Sequence, residues 1–177
     1  MSNDIFKVFI LEDMEADLLL TKRQVKKFQP AVLFAVARNR TEFEAKLIEF
    51  QPDIVLSDYN LPDMNGLEAL LYVREHLDST PFIFITGILN DEERVAETIL
   101  NGASGYLLKE NLQRLPALLT TVLEKNAEVL SRKEAEWERR RNNQIGIQKT
   151  IAALHETEVA NKSELIEILQ TVFDNIR

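Results

Sequence analysis

The sequence predicts an α/β protein: a doubly wound parallel sheet of five strands, followed by a long C-terminal helix. Three observations predict it. Short apolar runs alternate with amphipathic stretches up to about Pro116. Four of those runs stop at a conspicuous polar residue or pair: Glu12-Asp13, Asp58, Thr86 and Lys109. Beyond Pro116 there is no proline and one glycine, Gly146, while apolar residues recur at helical spacing.

The elements follow in order. Strand-like runs occupy 5–11, 32–37, 53–57, 82–86 and 104–108. The first, Phe6-Lys7-Val8-Phe9-Ile10-Leu11, leads into an amphipathic helix from Asp17 to Phe28, with Leu18, Leu19, Val25 and Phe28 toward one side. Thr41 to Phe50 is the next helix, opened by a capping box of Thr41 and Glu44. Helices over Gly66–His76 and Asp91–Leu100 come after the third and fourth strands, and Asn101-Gly102 closes the latter. The last helix starts near Asn111 or Leu112 and continues as one rod. Leu123, Ala127, Leu130 and Trp137 form one seam along it; Ile147, Ile151, Leu154, Leu165, Ile168 and Val172 form a second. The two seams share no unbroken heptad frame, so a stutter or break is expected near Asn142–Gly146. The expected organisation is a domain over 1–125 and a helical coiled-coil segment over 126–177.

Composition narrows the function. A formal charge of −8 argues against a general nucleic-acid binder. Without cysteine there is no disulfide framework and no thiolate metal site. No apolar run approaches the roughly 18–20 residues of a membrane span. Met1-Ser2-Asn3-Asp4 lacks the charged and apolar regions of a signal peptide, so a soluble cytoplasmic protein is expected.

In an open parallel sheet the C-terminal strand ends form one edge, where ligands bind. Glu12, Asp13, Asp58, Thr86 and Lys109 therefore describe one pocket. Hard oxygen ligands without His or Cys suit Mg²⁺, with Asp13 and Asp58 as natural direct ligands and Glu12 beside them. Lys109 offers three donors to an anion, and Thr86 offers a hydroxyl. An Asp beside a divalent cation, a Lys and a Thr can act as a nucleophile toward phosphorus.

These pieces, in this order, resemble the response-regulator receiver domain of two-component signalling, across about 5–125. The resemblance rests on Glu12-Asp13, on Leu56-Ser57-Asp58-Tyr59-Asn60-Leu61-Pro62-Asp63-Met64-Asn65-Gly66, on Ile85-Thr86-Gly87, and on Gly102 to Lys109. It implies a flavodoxin-like sheet of order 2-1-3-4-5. It implies that Asp58 accepts a phosphoryl group from a histidine kinase or histidine phosphotransfer protein, with no small-molecule substrate beyond phosphodonors. It implies Mg²⁺ held by Asp13, Asp58 and the backbone carbonyl of Asn60, with Glu12 direct or through water. Thr86 and Lys109 would contact phosphoryl oxygens. Thr86 and Tyr106 would carry the switch to the face of the fourth helix, fifth strand and last helix. The expected output is a homodimer through the C-terminal helix, with no nucleic-acid or membrane partner. The protein is expected not to be an enzyme, weak autophosphatase activity aside.

Two departures stand out. Glu110 follows Lys109 where the family often has proline, and Glu12 replaces the commoner aspartate. Alternatives stay open. An aspartyl-phosphate phosphohydrolase commonly has an acid two residues past the nucleophile, where this chain has Asn60. A flavin or nucleotide binder would want a Gly-rich first turn rather than Glu12-Asp13. The stretch Ile166–Arg177 resembles a helix leading into a PAS domain, so a fragment of a larger sensor kinase or PAS-containing regulator is a further alternative. His155 reads as a solvated helix residue, Arg139-Arg140-Arg141 as a charged coil surface, and Trp137 as a seam residue.

Overall fold

The structure, a computed structural model, describes residues 5–87, 99–156 and 161–175. Five parallel strands, β1 (Phe6–Leu11), β2 (Val32–Ala37), β3 (Ile54–Ser57), β4 (Phe82–Thr86) and β5 (Gly105–Leu108), stand in the order β2-β1-β3-β4-β5. Helices α1 (Glu15–Phe28), α2 (Arg40–Phe50) and α3 (Gly66–His76) alternate with them. A 3-10 turn, Lys109–Arg114, follows β5, and then come α4 (Leu115–Glu156) and α5 (Lys162–Asn175). The expected strand order is the observed one. Most of the expected helix at Asp91–Leu100 lies outside the described residues; Ile99 and Leu100 are helical.

Strand alternation builds two cores, because successive side chains point to opposite faces of the sheet. Val8, Ile10, Ile54 and Leu56 pack with Leu18 and Val25 of α1 and with Leu115, Leu119 and Val122 of α4. On the other face Phe9, Leu11 and Phe84 pack with Phe43 of α2 and Leu70 of α3. The central strands β3 and β4 are buried throughout, as a sheet covered on both faces requires.

Several expectations are corrected. Leu19 is 58% exposed, since it sits about 100° around the helix from Leu18, outside the stripe of Leu18, Thr21 and Val25. The box at Thr41 does not form. Helix α2 starts one residue earlier, and the Asn39 side chain accepts from the Glu42 N–H at 2.9 Å. Glu44 then lies inside the helix, 3.6 Å from Arg40. The reciprocal box belongs to α3, where Asn65 and Glu68 exchange hydrogen bonds of 2.9 Å. The long helix begins at Leu115, because Asn111 is non-helical (φ −105°, ψ 20°). Pro116 thus falls in the first turn, where a missing N–H costs nothing. No break occurs at Asn142–Gly146; α4 runs through it, and a Cβ on Gly146 would meet nothing within 4 Å. The next helix begins instead after Asn161, whose φ of 65° is left-handed, a conformation that Asn tolerates.

Internal contacts divide the chain into two units, Met1–Asn126 and Ala127–Arg177. In the second, Trp137, Leu165, Ile168 and Val172 are exposed, and the Arg141 guanidinium lies 5.4 Å from the Trp137 ring centroid. Among the described residues no helix is long and apolar enough to cross a membrane.

Candidate phosphoacceptor site

The last rungs of the sheet place the acids. Beyond β1, the Glu12 N–H donates to the Ala37 carbonyl at 3.1 Å; beyond β3, the Asp58 N–H donates to the Leu11 carbonyl at 2.9 Å. Glu12 and Asp58 are therefore set side by side on the strand-end edge and buried, at 3% and 8% exposure. Carboxylate oxygens of Glu12, Asp13 and Asp58 lie within 4.8 Å of one another.

Each carboxylate is oriented. The Asp58 Oδ1 accepts from the backbone N–H of Tyr59 at 2.6 Å and of Asn60 at 3.3 Å. The Glu12 Oε1 accepts from the Met14 N–H at 3.1 Å. The Ser57 hydroxyl donates to the Asp58 carbonyl at 2.6 Å. The Gly66 N–H donates to the Tyr59 carbonyl at 2.7 Å, and Asn60 bridges to Asn65, so the loop after β3 closes on the start of α3.

Lys109 comes from the far side of the fold. Its Nζ lies 2.7 Å from Asp58 Oδ2, 2.8 Å from Glu12 Oε2 and 2.6 Å from Asp17 Oδ2. Burial alone would lower the ammonium's pKa. Hydrogen bonds to Asp17, Asp58 and Glu12 outweigh it and push the value up, so Lys109 is charged. Burial raises the Glu12 pKa, against the Lys109 and Met14 hydrogen bonds and with the help of the Asp58 charge. Thr86 is buried at the end of β4, hydrogen-bonded to Tyr106 on β5. Burial and then the Asp58 charge push the Tyr106 phenol up.

Of the sequence-predicted residues, Glu12, Asp13 and Asp58 cluster and Lys109 contacts Glu12 and Asp58, while Thr86 and Tyr106 pair with each other on β4 and β5. Asn60 is exposed, and its N–H, rather than its carbonyl, makes the contact that ties it to Asp58. Asp17 was missed by sequence reasoning. The signal was its position four residues after Asp13, in the first turn of α1. The oxygen-only set, with two of three acids buried, fits a hard divalent cation such as Mg²⁺.

Comparison with known proteins places the chain in a family and a fold. The family model "Response regulator receiver domain" matches residues 8–120. The transcriptional regulatory protein LnrK of Bacillus subtilis is 33% identical over 112 residues, 60% of this chain and 48% of that protein. The nitrate/nitrite response regulator NarL of Escherichia coli is 33% identical over 111 residues, 62% of this chain and 51% of that protein. The chain spans about half the length of these curated relatives. The crystal structure of a CheY-like receiver domain protein from Methanospirillum hungatei superposes with a TM-score of 0.63 at 24% identity, covering 71% of this chain and 98% of that one, a likeness of fold.

Proposed function

Because the chain belongs to the response regulator receiver domain family, we propose that Asp58 is its phosphoacceptor. The observation that carries this reading is the Asp58 carboxylate, buried, 2.7 Å from the Lys109 ammonium and clustered with Glu12 and Asp13. In the transfer, an Asp58 oxygen forms a bond to phosphorus while the P–N bond of a phosphohistidine, or the P–O bond of acetyl phosphate, breaks. The leaving group takes the displaced electron pair.

The chain's own residues supply the rest. Tyr59 and Asn60 N–H groups hold the carboxylate in one orientation. Glu12, Asp13 and Asp58 would hold Mg²⁺, with the Asn60 carbonyl as a further ligand. The metal, when bound, neutralises charge on the transferred group. Lys109 offers donors to a phosphoryl oxygen, and Thr86 a hydroxyl now engaged by Tyr106. A Thr86 turned toward phosphate would release Tyr106, and that exchange is the proposed switch. Asn60 cannot move a proton, which favours a phosphoacceptor over a phosphohydrolase.

The finer parts of the reading are proposals too: a receiver over 1–125 with a helical dimerisation segment over 126–177, a histidine kinase or phosphotransfer partner, and no nucleic-acid or membrane partner in the cytoplasm. The exposed apolar residues Trp137, Leu165, Ile168 and Val172 support a second copy as the partner of the tail. Light scattering with and without beryllofluoride tests this; a monomer in both states refutes it.

The central test is incubation with Mg²⁺ and acetyl phosphate, followed by intact mass. One added phosphoryl group is expected, absent in Asp58→Asn. Modification that persists in Asp58→Asn rejects the assignment.

A further inference from the structure

We propose that Asp17 is a positioning residue acting through Lys109: it draws the ammonium outward, so that Glu12 and Asp58 are released toward other cations while Lys109 stays at the mouth of the site. This rests on the phosphoacceptor reading above.

An ammonium has three donors. Those of Lys109 are matched by three carboxylates, at 2.6, 2.7 and 2.8 Å. Glu12 and Asp58 belong to the acid cluster, and Asp17 does not. An ammonium on Glu12 and Asp58 competes for the oxygens that a divalent cation needs. With those two partners alone, Lys109 would be an internal counterion that blocks the cluster.

Asp17 changes that balance. Its contact with Lys109 matches the other two in length, and its side chain is the outermost, 34% exposed against 4% for Glu12 and 10% for Asp58. It stands on α1, whereas Glu12 and Asp58 extend the sheet strands, so its hold on Lys109 survives a change at the cluster. By linkage, if the Asp17–Lys109 contact strengthens cation binding at the cluster, cation binding strengthens that contact by the same factor.

The test is a double-mutant cycle on the full chain, with Mg²⁺ binding read by calorimetry in wild type, Asp17→Asn, Lys109→Met and the double variant. Asp17 also acts on a bound cation directly through its charge, and that part is the same in both backgrounds. The part carried by Lys109 is the interaction between the two substitutions. Asp17→Asn is expected to weaken Mg²⁺ binding about tenfold with Lys109 present, and at least about threefold less in Lys109→Met. Equal factors in the two backgrounds overturn the proposal. Where Lys109→Met does not fold, the ¹⁵N resonance of the Lys109 ammonium decides. A hydrogen-bonded signal is expected in Mg²⁺-loaded wild type and is lost in Asp17→Asn; its absence from loaded wild type overturns the proposal. Failure of wild type to bind Mg²⁺ at all sinks the phosphoacceptor reading as well.

Discussion

Gly66→Ala is expected to damage both the fold and the site, by a mechanism visible at one atom. A Cβ at Gly66 would lie 2.5 Å from Phe84 Cε1, 2.9 Å from Tyr59 Cα and 3.0 Å from the Asp58 carbonyl oxygen. Phe84 cannot turn away: it is fully buried, with Phe82 at 4.9 Å and Tyr59 at 5.7 Å between ring centroids. The other two neighbours are backbone of the loop that presents Asp58. Overpacking of this kind costs about 1–3 kcal/mol. Alanine's helix preference over glycine returns at most about 1 kcal/mol, and less at the first helical position. A net loss of about 2 kcal/mol lowers hydrogen-exchange protection about 30-fold. The amides to follow are Val55 and Asp58, whose N–H groups donate to the Pro81 and Leu11 carbonyls. Acceptance of phosphoryl from acetyl phosphate should slow in parallel. Wild-type protection and an unchanged phosphorylation rate together would refute the reasoning.

Gly146→Ala is the counterpart: with nothing within 4 Å of the new methyl, α4 should gain up to about 1 kcal/mol, seen as slower exchange around residue 146, and a loss there would contradict the packing. Lys109 gives a pH signature. Its folded pKa is raised, so its contribution to stability is complete below the ordinary lysine value of 10.5 and fades as pH rises beyond it. In metal-free buffer, the stability difference between wild type and Lys109→Met should shrink above that pH; a constant difference argues against the triple pairing. Arg74 ties three segments, donating to the Asp78, Thr80 and Gly102 carbonyls at 2.7–2.9 Å. Arg74→Met should cost about 1–3 kcal/mol and raise exchange at Ser104, whose N–H donates to the Phe82 carbonyl.

The sheet was legible because its strands are short apolar runs that polar residues end, and because parallel order leaves few topologies. The acid cluster was legible for the same reason: a strand end fixes a residue's place in space. Asp17 was not, since it reaches Lys109 from across the fold, 92 residues away in sequence. The caps went astray over short distances. Asn39 and Thr41 both suit a helix start, and only the backbone turn decided between them. The break in the tail was misplaced because a seam records which side of a helix is apolar, whereas Asn161 records where the chain turns.

The ladder that continues past β1 and β3 to the amides of Glu12 and Asp58 has a mechanical consequence. The backbones of Glu12 and Asp58 are thereby bolted to the sheet and shift only if those rungs open. Lys109 reaches the centre on a side-chain arm at the start of a 3-10 turn, so its cation is placed by contacts to Asp17, Asp58 and Glu12 and not by the ladder. Backbone thus anchors the anions and side-chain contacts alone anchor the cation, so of the two only the cation can be re-placed with the ladder intact.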